Sequence, residues 1–173
     1  REINRMLPSP QQQKQELAAF EKLRADVRQT LADARELSAD TIRQALDEAR
    51  TRLKQLGEHT ADTVDKAAAG VEKEMVAAAQ RVGARLENLS ERTVDLFNVW
   101  GERGAQFVTR AAGAIGDWLQ QAGVRIGPHA YRTGDVAASG TLECTACGKK
   151  VVLETAAHVP LCPNCRKTEF RRV

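Results

Sequence analysis

Aromatic side chains are scarce in this 173-residue chain: they form 4% of it, with one Tyr, two Trp and four Phe. That does not suit a core of ordinary globular density, and it does suit long helices with narrow apolar stripes. Proline is absent between Pro10 and Pro128, so the strongest helix breaker is missing from all of 11–127. Cysteine is absent before Cys144, so no disulfide joins two points within the first 143 residues. No apolar run approaches the ~20 residues that a membrane-spanning helix needs, and no secretory apolar segment is visible. Neither sign of charge dominates, since 26 Lys and Arg face 23 Asp and Glu, a formal charge of +3. The excess falls in 132–173, which holds seven basic residues and four acidic ones, while the first 131 residues balance at 19 against 19. Net charge alone is therefore poor evidence for a nucleic-acid partner.

What fills the space between the prolines is Ala, Leu, Glu, Arg and Gln, the strong helix formers. Its apolar residues recur every eleven positions. Phe20, Leu31, Ile42, Leu53, Val64, Met75, Leu86, Phe97, Val108 and Leu119 form one column, all large and apolar. Parallel columns start at Leu23 and Val27, and 26 of the 30 positions in the three are apolar. Eleven residues in three turns is ~3.67 per turn, so the stripe holds one face of a helix with a slight right-handed drift.

One unbroken helix over 20–122 would be ~155 Å long and would leave its stripe wet. The stripe must therefore meet another helix, in a folded-back hairpin, a coiled coil or an oligomer, or else lie on a lipid or granule surface. Packing is the preferred reading. Gly57 can close one helix in the left-handed conformation, with Thr60 or Asp62 capping the next. Gly101 and Gly104 offer a second break. The expectation is helices over roughly 11–56, 61–100 and 102–122, after a flexible tail at 1–10.

Both tryptophans fall in 96–126, as Trp100 and Trp118, together with Phe97, Phe107 and five glycines. Small residues let helices approach closely and aromatics supply buried area. These four aromatics are read as a helix-packing or partner surface. Gly127 and Pro128 end the helical region, and 128–140 reads as an extended linker.

The last segment, 141–173, carries all four cysteines as C-x2-C-x14-C-x2-C: Cys144, Cys147, Cys162 and Cys165. In a reducing compartment such pairs are metal ligands more often than disulfides. Two CxxC turns on facing hairpins supply the four thiolates that a tetrahedral Zn²⁺ favours. The expectation is a small β zinc ribbon holding one structural zinc. Strands are expected at Val151–Leu153, His158–Leu161 and Thr168–Val173, with Gly148 in a knuckle that needs positive φ. Rubredoxin-type iron and a thioredoxin-type redox pair are the weaker readings of this spacing. Four thiolates leave no open coordination position, so metal catalysis is not expected. His158 is read as a strand surface residue. Lys149, Lys150, Arg166, Lys167, Arg171 and Arg172 are candidate contacts to nucleic acid or to a partner.

The segments Tyr131-Arg-Thr-Gly-Asp-Val, Gly140-Thr-Leu-Glu-Cys-Thr-Ala-Cys, Val159-Pro-Leu-Cys-Pro-Asn-Cys and Phe170-Arg-Arg resemble the bacterial YbeL-like zinc-ribbon-containing proteins. The likeness is specific over 131–172 and only general over the helices, through their architecture and the Gly57 turn region. It implies long N-terminal helices with a C-terminal ribbon, ligand roles for the four cysteines, and a bacterial cytoplasmic protein. Members commonly have Gly after the second CxxC, where this chain has Arg166. The resemblance implies no activity. Mainly α with a small β ribbon, the chain reads as a non-enzymatic scaffold that self-associates or docks a protein partner, without a small-molecule substrate. A nucleic-acid, ribosome- or polymerase-associated factor is the alternative, and a lipid- or granule-coating protein the next.

Overall fold

Serine and threonine caps mark where each helix starts. In the computed structural model, which describes residues 7–34, 38–84, 117–121 and 131–173, Ser9 accepts from the Gln12 N–H and Pro10 opens α1, Pro10–Asp33. Ser38 accepts from the Thr41 N–H at 3.1 Å and opens α2, Ala39–Leu56. Thr60 accepts from the Thr63 N–H at 3.2 Å and opens α3, Ala61–Ala84, with Asp62 in its first turn. Each cap satisfies one of the orphan donors of a helix start. Gly57 closes α2 at φ 70, its N–H bonded to Lys54 O, as the left-handed cap requires.

The break between α1 and α2 was not expected: the helix over 11–56 is two helices, not one. No Gly or Pro marks the site, and the eleven-residue column passes straight through it. What ends α1 is Ala34 in extended conformation, followed by the Ser38 cap. Each of these three helices contacts the other two, so within the described helices the first column is buried inside one chain, while Leu56 of the second column is exposed. Phe20, Leu31, Ile42, Leu53, Val64 and Met75 are all at most 4% exposed. Residues 117–121 are helical, and Trp118 packs into the same core. Phe97, Trp100 and Phe107 lie outside the described residues.

The C-terminal part folds as two small antiparallel sheets. β1 (Tyr131–Arg132), β6 (Glu169–Arg172), β3 (Gly140–Cys144) and β4 (Lys150–Leu153) form one sheet in that order. β2 (Val136–Ala137) and β5 (Ala157–His158) form the other. The stretch read as a linker thus supplies β1 and β2, and Tyr131 is fully buried. The return strand after β4 pairs with β2 and not with β4.

The sheets do not hang free of the helices. β2 lies against α1 and α3, and Val136 and Ala138 belong to the helical core. Gly70 on α3 permits the approach, because a Cβ there would stand 3.0 Å from Val136 O and 3.2 Å from the Phe20 ring. Among the described residues no helix is long and apolar enough to cross a membrane.

Candidate metal centre and its seat on the helices

β3 delivers Cys144 to the end of the sheet, and the chain turns back at once into β4. The Gly148 N–H bonds Cys144 O at 2.9 Å, and the Cys144 N–H bonds Lys149 O at 2.9 Å. The second pair repeats this pattern. The Arg166 N–H bonds Cys162 O at 2.9 Å, and the Cys162 N–H bonds Lys167 O at 3.1 Å. Both knuckles need positive φ at the residue after the second cysteine. Gly148 meets this at φ 74 without strain, and Arg166 adopts φ 60 as the only non-glycine of that kind among the described residues.

The two knuckles bring four sulfurs together within 4.8 Å of one another. Cys144 and Cys165 are 3.6 Å apart, and Cys147 and Cys162 3.5 Å. Disulfide sulfurs are bonded at ~2.05 Å, so these are free thiols. Thiolates ~2.3 Å from a tetrahedral ion stand about 3.8 Å apart. The spacing therefore fits one Zn²⁺ held by all four.

The acidity of the thiols fits as well. The Asn164 side chain and the Lys149 backbone N–H hold Cys147 down at about 6. The backbone N–H of Cys165 lowers Cys162. At Cys165 a bond from Lys167 works downward, but burial and the neighbouring sulfurs carry the thiol up to about 12. Four sulfurs this close cannot all ionise unless a cation sits among them, and a dication would balance that charge. Zinc bound there ties β3, β4 and the second knuckle into one unit that a small sheet could not hold by itself.

The candidate basic contacts divide into two kinds. Lys149, Lys150, Arg166 and Lys167 are exposed around the knuckles. Arg171 is exposed but pairs with Glu143 across β3 and β6. Arg172, expected to reach a partner, is turned inward instead, its side chain 4% exposed. It pairs with Glu74 on α3, donates to Ala138 O at 3.2 Å, and lies over the Tyr131 ring at 5.1 Å. Glu74 also accepts from Tyr131 OH and from the Ala138 N–H, each at 3.0 Å. Burial works against the Arg172 charge, but Glu74 and Tyr131 outweigh it, and its pKa stands above the ordinary value. Burial, then the Glu74 carboxylate, pushes the Tyr131 hydroxyl well above its usual range.

His158 also departs from the expectation. It is no surface residue: its side chain is 5% exposed, and Nε2 lies 2.5 Å from Glu16 on α1. Lys66 on α3 stands 3.2 Å from the same carboxylate. Lys73 on α3 reaches Asp135 beside β2 at 2.7 Å. Two buried helix carboxylates thus each receive a basic side chain from the ribbon. Glu16 and Glu74 were missed in the sequence, where they look like ordinary members of a solvated helix face. Their partners lie 142 and 98 residues away, and no local signal links them.

Residues 29–173 match a family model described as a zinc-ribbon containing domain. No curated protein matches the chain, and no solved structure does.

Proposed function

The chain belongs to this zinc-ribbon family, and from that premise we propose that it is a non-enzymatic binding protein that self-associates or docks a protein partner. The observation that carries the reading is the latch of Glu74, Arg172 and Tyr131, with Glu16 and His158 beside it. It ties the ribbon to the described helices at two buried side-chain contacts, which supports a fixed docking platform. A tetrathiolate zinc supports the non-catalytic role, since it leaves no position for a substrate or water. Thiols held as metal ligands suit a reducing compartment, and the bacterial cytoplasm is the compartment we assign.

A nucleic-acid reading has one observation in its favour, the exposed cations on both knuckles. Against it, both aromatics of the ribbon, Tyr131 and Phe170, are fully buried, so the ribbon itself offers bases no ring to stack on. A lipid- or granule-coating role has no such support. In the described helices the apolar stripe is used for packing within the chain.

Cross-linking followed by native mass measurement on cell lysate tests the proposal. The expected result is a defined assembly, either a homo-oligomer or a complex with one protein. A chain that stays monomeric and captures nothing would refute it. Salt-dependent binding to RNA or DNA, lost on charge reversal at Lys149 and Lys150, would put the second reading first.

A further inference from the structure

β4 is the outer strand of the four-stranded sheet, and no described strand lies beyond it. The Cys144 N–H bonds Lys149 O, and Leu142 stands opposite Val151. By the alternation of an antiparallel ladder, Lys149, Val151 and Leu153 turn their backbone groups to β3. Lys150 and Val152 therefore turn theirs to the open side. The same two residues are the exposed ones of the strand, while Leu153 is buried and Val151 half-buried. Val152 is 66% exposed, the highest value among the exposed large apolar residues described. Two positions either side of it stand Lys150 and Glu154, both exposed, with no ion-pair partner among the described residues. The open edge thus has an apolar centre, Lys150 at one end and Glu154 in the bend one residue past the other, and is complementary to itself.

We propose that β4 pairs antiparallel with β4 of a second copy of this chain, about a two-fold axis at Val152. Val152 then faces Val152 of the partner and exchanges both backbone hydrogen bonds with it. Lys150 faces Glu154 of the partner, and Glu154 faces Lys150, so the four charges form two opposite pairs. The register is specified. A slip of two residues sets each charge against an uncharged side chain, and a slip of one sets the exposed face against the buried face. Cross-strand pairs of this kind are the unit of sheet stability. The contact is short, far below the ~1,600 Å² of a standard interface, so the dimer is weak and concentration-dependent. The inference rests on the self-association arm of the function proposed above and gives it a site.

Sedimentation equilibrium of the zinc-loaded full chain tests it, over a concentration series reaching a few hundred micromolar. The chain should show a monomer–dimer equilibrium. Lys150→Glu and Glu154→Lys should each weaken it at least about tenfold, because each puts like charges face to face. An equimolar mixture of the two variants should dimerise again, since one brings Glu at both positions and the other Lys at both. Val152→Pro should also weaken association while keeping zinc and ellipticity, because the N–H it removes points away from the sheet. A chain monomeric throughout the series overturns the proposal. So does a dimer seen only with an added single-stranded oligonucleotide or acidic peptide, or a mixture of variants that stays monomeric. A dimer indifferent to both substitutions overturns this edge alone and leaves self-association through another surface standing.

Discussion

Replacing Arg172 by Met should destabilise the whole chain, and the size of the loss follows from what is left behind. The methionine keeps much of the apolar stem but removes the guanidinium. Glu74, 6% exposed, then keeps, among the described residues, only Tyr131 OH and the Ala138 N–H. Breaking a buried pair by removing one partner costs about 3–5 kcal/mol, because a charge remains out of water without its counter-ion. Against a total of about 5–15 kcal/mol for a typical domain, that is a large fraction. With a urea slope of about 2 kcal/mol per molar, the midpoint should fall by about 1.5–2.5 M. The assay is urea unfolding of the zinc-loaded chain, followed by far-UV ellipticity. Arg171→Met is the control, since its pair with Glu143 is on the surface, and it should change stability by no more than about 1 kcal/mol. The double variant Glu74→Gln with Arg172→Met should recover part of the loss, because the orphaned charge is gone. An Arg172→Met chain indistinguishable from the Arg171→Met control would refute the argument that the latch holds the ribbon to the helices.

Tyr131 is the single tyrosine of the chain, so tyrosinate absorbance reports it alone. Its folded pKa is raised above the unfolded ~10, so its contribution to stability is complete below about pH 10 and is lost as pH rises toward the folded value. A titration should show no tyrosinate near pH 10 while the chain is folded; tyrosinate forming there with ellipticity unchanged would contradict the buried geometry. Arg166→Gly should stabilise the ribbon by up to about 1 kcal/mol, since φ 60 costs a side chain that much and glycine little. Gly148→Ala should cost a similar amount at φ 74, with no clash added, as nothing lies within 4 Å of the new Cβ. Thermal unfolding of the zinc-loaded variants checks both, and an Arg166→Gly chain less stable than the parent would show a role for that side chain other than strain.

The described helices were legible in part, because burial and periodicity are local signals. Phe20, Ile42 and Met75 sit in the core where the eleven-residue column places them, and Gly57 ends α2 because only glycine takes φ 70 at no steric cost. The break before Ser38 was harder to see. Its signal is a serine followed three residues later by Thr41, which also reads as a polar position on a continuous helix. The cysteines could be read outright, since two CxxC pairs have few other uses. The seat of the ribbon could not. Arg172 and Arg171 are neighbours of equal charge, yet alternation along β6 sends one to Glu74 in the interior and the other to Glu143 on the surface. His158 and Glu16 meet only because β5 pairs with β2, which lies on α1 and α3. Pairs so distant in sequence are products of the assembled fold.

The most direct test follows zinc release and helix loss in one urea titration of the purified chain. The account predicts one zinc per chain, released with the same midpoint as the ellipticity, because ribbon and helices are one cooperative unit. A chain that carries no zinc when purified, or that loses zinc at a much lower midpoint with the helices unchanged, would contradict it.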